Sequence, residues 1–202
     1  MPHVLADAQA LYERARQAVD AGRFGDAKRA IDDAFTADER DAAIRELYTG
    51  LHLAAAVKAV ARARELRRKS IVDRGIEYDE EFADTEETRR AFEEAIAEFD
   101  RVLVVDPGHG KALMLKAAAL HRFDRAARRA EAAAAVRNVL AANPENQQAK
   151  LALRKIEKAC DACSDSGFCP HCGGRGSRSI LGFVRKCNRC WGQGICLRCG
   201  VL

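Results

Sequence analysis

Chemistry in this chain is concentrated in its cysteines. All eight lie between Cys160 and Cys199, arranged as four Cys-x-x-Cys pairs: Cys160 with Cys163, Cys169 with Cys172, Cys187 with Cys190, and Cys196 with Cys199. Such a pair sets two thiolates on one tight knuckle, and two pairs complete a tetrahedral four-sulfur site with metal–sulfur distances of about 2.3 Å. Glycines follow the pairs, where a backbone turning beneath a metal needs positive φ and close approach; amides exposed there can hydrogen-bond the sulfurs and spread their charge. The pairs begin 9, 18 and 9 residues apart. That symmetry favours nesting, with Cys169, Cys172, Cys187 and Cys190 around an inner metal and Cys160, Cys163, Cys196 and Cys199 around an outer one. Sequential pairing, first with second and third with fourth, is the competing arrangement.

Other cysteine chemistry can be ranked against zinc. Covalent haem needs a histidine directly after a pair, but Ser164, Gly173, Trp191 and Gly200 stand there. Four-cysteine iron–sulfur ligation has the same ligand count, but the glycine-flanked knuckles favour zinc. Thiol–disulfide exchange also uses Cys-x-x-Cys, though four regularly placed pairs favour metal. His171 lies inside a pair, but four sulfurs already fill each site, so it is expected to be a bystander. The expectation is two structural Zn2+ per chain. Neither keeps the open position a catalytic zinc requires, which argues against an enzyme. A 40-residue segment without an adequate core needs such staples; structural zinc contributes roughly 10–16 kcal/mol of apparent binding free energy in small fingers.

Two of the repeats carry a specific resemblance. Residues 169–176, Cys-Pro-His-Cys-Gly-Gly-Arg-Gly, and 187–194, Cys-Asn-Arg-Cys-Trp-Gly-Gln-Gly, both match CxxCxGxG, and the tail resembles the DnaJ-type cysteine-rich zinc domain. The resemblance covers about 40 residues and implies four such repeats, nested pairing and assistance to protein clients. The outer repeats depart from it. Asp165 replaces the first glycine of repeat one while Gly167 keeps the second, and repeat four reaches only Gly200-Val201-Leu202. No His-Pro-Asp tripeptide occurs in the chain, so the resemblance brings no J-domain activity with it.

The segment that must carry this module is different in kind. Residues 1–159 hold 28 Lys+Arg and 28 Asp+Glu, whereas residues 160–202 hold six basic and two acidic groups, eight of the fourteen glycines and a single alanine, Ala162. The formal charge of +4 therefore sits in the tail, and with eight thiolates and two Zn2+ it becomes zero. Two domains are expected, 1–159 and 160–202. Hydrophobic content of 48% and charged content of 32% exclude a disordered chain. No apolar run approaches the ~18 residues of a membrane helix, and Met1–Glu13 lacks the basic-then-apolar order of a signal peptide. A cytoplasmic protein is expected, in a compartment that disfavours disulfides.

Long Ala, Leu, Arg and Glu stretches make the first segment helical, with breaks at Gly22–Gly25, Thr36–Arg40, Asp73–Asp84, Asp106–Gly110 and Asn143–Asn146. Thr36 with Glu39, and Asp84 with Glu87, have capping-box spacing. An internal repeat shows in the offsets 0, 3, 7 and 10: Phe24, Ala27, Ile31, Ala34; then Phe92, Ala95, Phe99, Val102; then Arg129, Ala132, Val136, Val139. Pro107 and Pro144 stand 15 residues after the first position of the latter two copies. Over about residues 8–158 this resembles the second helices of tetratricopeptide repeats, in which a small residue (Ala27, Ala95, Ala132) permits close helix approach. The unit expected near residue 58 is missing, because Glu65 and Arg68 occupy its apolar positions, and Asp41–Asp73 reads as one extended helix or a broken pair. The third copy puts Arg129 at the aromatic position. The fold class expected is mostly α: a tetratricopeptide-like antiparallel helical array followed by a small two-zinc β-hairpin and loop module. Another antiparallel bundle is the plainer alternative.

A basic run, Arg62, Arg64, Arg67, Arg68, Lys69 and Arg74, precedes an acidic one, Glu77, Asp79, Glu80, Glu81, Asp84, Glu86 and Glu87. The functional reading is a partner surface of split polarity; the plainer one is two solvated faces attracting each other across a turn. His3, His52, His109 and His121 have no partner at ligand spacing.

Taken together, a non-catalytic protein-interaction adaptor or chaperone-like protein is expected, with a protein or peptide partner and the zinc module mounted rigidly on the array. Ile180, Leu181, Phe183 and Val184 at a hairpin tip, with Trp191, would contact a client or pack against the array. Two other functions compete: nucleic-acid binding through Arg175, Arg178, Arg185, Lys186, Arg189 and Arg198, and zinc-poised thiol–disulfide exchange.

Overall fold

The computed structural model describes residues 2–74 and 83–200, with side chains from residue 7 onward. Glu77, Asp79, Glu80 and Glu81 lie outside the described residues. Helix-forming composition and turn chemistry divide the first segment into α1 (Pro2–Asp20), α2 (Phe24–Ala37), α3 (Ala42–Asp73), α4 (Glu86–Val105), α5 (Gly110–Phe123), α6 (Arg129–Ala142) and α7 (Gln147–Glu157). Each packs on its neighbour in the chain, and the short connections elsewhere than between α3 and α4 make those neighbours antiparallel. The fold is a mostly helical, tetratricopeptide-like array.

The three sequence repeats fall on α2, α4 and α6. Ala27, Ala95 and Ala132 are fully buried at the crossings, as are Ile31, Phe99, Val136 and Val102 or nearly so. Phe24 differs: 62% of it is exposed, because it stands at the first residue of α2, where no earlier turn covers it. Between these copies α3 is one unbroken helix of 32 residues. Ile44 and Tyr48 pack in the N-terminal core, Ala56 packs against α4 and α5, and Ala63 against Phe92. A single long helix thus replaces the missing repeat unit.

Caps depart from the capping boxes expected. Thr36 lies inside α2, its hydroxyl donating to the Asp32 carbonyl at 2.9 Å, and the next helix is capped by Asp41, which accepts the Ala43 and Ile44 amides at 2.8 and 3.0 Å. Thr85, not Asp84, caps α4, accepting the Thr88 amide. Asp84 pairs with Arg67 instead. A break the sequence reading missed separates α5 from α6. It has no glycine or proline; Asp124 makes it, its side chain accepting the Ala127 amide at 2.9 Å.

Of the histidines, His109 caps α5, accepting the Ala112 amide, and His52 is fully buried between helices. Its Nδ1 lies 2.5 Å from Glu98 Oε2 and its Nε2 2.7 Å from Asp32 Oδ1. Lys28 also pairs with Glu98. One polar cluster therefore ties α2, α3 and α4 together. In the split-polarity stretch, Arg62 pairs with Glu87, Arg67 with Asp84 and Arg68 with Glu65.

Beyond α7 the chain forms a small module with one antiparallel hairpin, β1 (Ser177–Ile180) and β2 (Phe183–Lys186), in register Ile180↔Phe183. Among the described residues no helix is long and apolar enough to cross a membrane.

Candidate metal centre

Four knuckles build the centre, and three share a backbone recipe. The two residues after the second cysteine both have positive φ: Ser164 and Asp165 (49° and 60°), Gly173 and Gly174 (54° and 82°), Trp191 and Gly192 (52° and 79°). In each, the second of these donates its amide to the carbonyl of the first cysteine, as in Asp165 to Cys160 at 2.8 Å and Gly192 to Cys187 at 3.1 Å. The fourth knuckle closes one residue earlier, Gly200 donating to Cys196 at 2.7 Å. Gly176 and Gly194 donate their amides to Cys172 Sγ and Cys190 Sγ, each at 3.3 Å. Both have positive φ, and a Cβ there would stand 2.4 Å from the Gly192 carbonyl oxygen and 2.2 Å from that of Gly174. No other residue type fits this crossing.

Backbone bonds then nest the knuckles. Cys187 donates to the Gly176 carbonyl, Cys169 to that of Gly194, and Cys196 to that of Gly167, with Phe168 and Ile195 bridging between the last two. The result is two groups of four sulfurs, each group mutually within 4.8 Å: Cys160, Cys163, Cys196 and Cys199, and Cys169, Cys172, Cys187 and Cys190. All eight are buried and none is in a disulfide. Cys163 and Cys199 sulfurs are 3.5 Å apart, Cys172 and Cys190 sulfurs 3.7 Å. Those separations match the edge, about 3.8 Å, of a tetrahedron with 2.3 Å metal–sulfur bonds, and far exceed the ~2.05 Å of a disulfide. Burial pushes the Cys172 and Cys199 thiols up, with neighbouring sulfurs adding to it. At Cys160 and Cys187 hydrogen bonds outweigh desolvation and hold the thiol below its usual value. Four crowded sulfurs of this kind suit a divalent cation that lets all of them ionise. The donor set fits a metal ion in both groups. His171 is exposed and turned to Arg178, 2.7 Å away.

The sequence reading missed the residues of the helical array that complete the outer group. Arg125, in the α5–α6 turn, donates through Nη1 to Cys199 Sγ at 3.1 Å and through Nη2 to His121 Nε2 at 2.6 Å. Its Nε stands 3.1 Å from Asp165 Oδ1, and Arg129 at the start of α6 pairs with the same carboxylate. Asp165 also accepts the Cys160 amide at 3.2 Å. Burial would raise the Asp165 carboxyl, but that amide and the two guanidiniums hold it below the usual range. A signal for this was present in the sequence. Arg129 breaks the third helical repeat and Asp165 breaks the first zinc repeat, and the two departures are partners in one ion pair.

Further contacts join the halves. Arg122 on α5 donates to the Gly200 carbonyl through Nε and Nη2, each at 3.3 Å. Arg67 on α3 lies over the Phe168 ring, 5.6 Å from its centroid. Ile71 reaches Gly174, where a Cβ would meet its Cδ1 at 3.0 Å.

No protein-family model matches the chain, and no curated protein does. Among solved structures it is similar to a tetratricopeptide repeat protein from Parabacteroides merdae, with 17% identity over 75% of this chain and a TM-score of 0.29. The chain spans 60% of that protein's length. At that score the likeness carries no weight beside the helix packing itself.

Proposed function

We propose that the chain is a non-catalytic, cytoplasmic protein-interaction adaptor with chaperone-like client contact. It comprises a helical domain, 1–159, and a DnaJ-type cysteine-rich domain, 160–202, stapled by two structural Zn2+. Cys169, Cys172, Cys187 and Cys190 would hold one ion and Cys160, Cys163, Cys196 and Cys199 the other. The metal supplies cross-linking; four sulfurs leave it no open position for a substrate. Eight thiols free of disulfides suit a reducing compartment.

The observation that carries the client contact is the hairpin tip. Leu181 is 94% exposed, Val184 77% and Phe183 70%, with Trp191 and Ile180 also outside the core. Leu181 and Gly182 form a two-residue turn with φ of 51° and 83°, the type I′ geometry that favours Asn-Gly. A leucine there meets both backbone strain and water. Residues costly to fold at an exposed apolar tip mark a binding surface.

The test separates folding from contact. Leu181→Asn gives the turn its preferred residue, and Phe183→Thr keeps strand propensity. The zinc-loaded native chain is expected to suppress aggregation of a thermally unfolded substrate protein; the double variant is expected to fold as well or better and to lose most of that suppression. Equal suppression by the variant overturns the tip as the contact. Steep salt-dependent binding of nucleic acid, or insulin reduction that survives zinc loading, would instead favour the competing functions.

A further inference from the structure

A cleft of about 450 Å3 lies between the helical array and the cysteine module, walled by α3, the start of α4, the α5–α6 turn and the knuckle segments. That volume suits a few residues of a peptide. Its charges are unevenly matched. Asp84 is taken by Arg67, and Asp165 by Arg125 and Arg129. Asp124 caps the turn at Ala127. Among the described residues no carboxylate pairs with Arg64, Arg89 or Arg122, all of which line the cleft. Arg122 has only the uncharged Gly200 carbonyl. Burial, and next the neighbouring Arg64 cation, push its guanidinium down to about 10, the mark of a cation short of counter-charge. Beside these lie Phe123, Phe168 and Ile195, all half-buried.

We infer that this cleft binds a short acidic peptide segment of a partner protein, its carboxylates on Arg64, Arg89 and Arg122 and an apolar side chain between them on Phe123 and Phe168. The inference rests on the adaptor reading for the partner being a protein, but uses a different surface from the hairpin tip. Guanidinium forks bind carboxylates in bidentate fashion, and the three come from three helices, α3, α4 and α5, so they meet spaced charges. A phosphate backbone carries a charge at every nucleotide and no apolar side chain to set on the Phe123 and Phe168 rings that line the cleft.

Fluorescence anisotropy on the zinc-loaded full chain tests this, with a labelled eight-residue peptide of three glutamates and two leucines. Its glutamine counterpart, its lysine counterpart and a labelled single-stranded oligonucleotide complete the probes. The variant is Arg64→Glu with Arg89→Glu, two side chains without ion-pair partners among the described residues, checked for unchanged helicity and zinc content. The acidic peptide is expected to bind more weakly as salt rises. The glutamine peptide and the double variant are each expected to lose at least about tenfold in affinity, and the lysine peptide to gain affinity for the variant. Equal binding of the acidic and glutamine peptides, undiminished binding by the variant, or binding of the oligonucleotide alone overturns the cleft as a peptide site. Loss of peptide binding leaves aggregation suppression at the hairpin unaltered, so the two readings fail separately.

Discussion

Asp165 takes the place that glycine holds in the inner knuckles, and it does so at a φ of 60°. The backbone there would be more relaxed with glycine, by about 1–2 kcal/mol. The carboxylate offsets this by accepting the Cys160 amide and pairing with Arg125 and Arg129. On the two-zinc reading the roles separate: ligation falls to the cysteines, docking to the aspartate. Asp165→Gly is expected to retain about two zinc per chain. It is expected to change global stability by no more than about 1 kcal/mol, because strain relief and partly exposed ion pairs oppose each other. Amide exchange in the α5–α6 turn should nevertheless quicken relative to the rest of the array. Unchanged exchange there would mean that Arg122 and the Phe168 contact suffice to hold the halves together.

At the scale of elements, the His52 cluster shows how a helical array can be fastened by polar groups as well as by alanine crossings. Burial alone would raise the Glu98 carboxyl; hydrogen bonds from His52 and Lys28 outweigh it and hold it at about 2, against an ordinary 4.5. A carboxyl lowered on folding stabilises the native state above its unfolded value and loses that contribution as pH falls toward its folded one. The difference in urea stability between the native chain and Glu98→Gln is therefore expected to be present above pH 4.5 and to shrink between about 4.5 and 2. Its size from this linkage is about 3 kcal/mol. Taking a difference cancels the parallel release of metal in acid. A gap independent of pH in that window would remove the ionised carboxylate from the account. Nothing in the sequence marked this cluster. Asp32, His52 and Glu98 are 20 and 46 residues apart, and only the packing of α2, α3 and α4 brings them together.

For the whole molecule, the two halves hold together in different ways. The array buries a series of apolar clusters between Ala8 and Ile156, whereas the cores of the cysteine module are the sulfurs themselves. Metal removal should therefore act on one half first. A strong chelator is expected to release about two zinc per chain and to abolish protection of residues 160–200, while most of the far-UV helical signal persists. Collapse of the helical signal in step with metal release would show instead that the array depends on its docked module. One zinc per chain, or none, would contradict the two-site reading.

Much of this architecture was legible in one dimension. The cysteine spacing is short-range, and a knuckle is specified within eight residues by its glycines, so the two groups of four cysteines could be written down from the chain. The helical repeats showed because burial at a helix crossing demands a small residue at a fixed offset, and Ala27, Ala95 and Ala132 obey it. The boundary between α5 and α6 was hidden, since an aspartate turn leaves no glycine or proline. Arg129 and Asp165 each appeared only as a flaw in its own pattern. Sequence patterns record what neighbours along the chain require of each other. The pairing of those two residues, the buried His52 and the arginine cleft depend on groups distant in sequence, and electrostatic partnership across such distances is settled only when the fold brings the charges within reach.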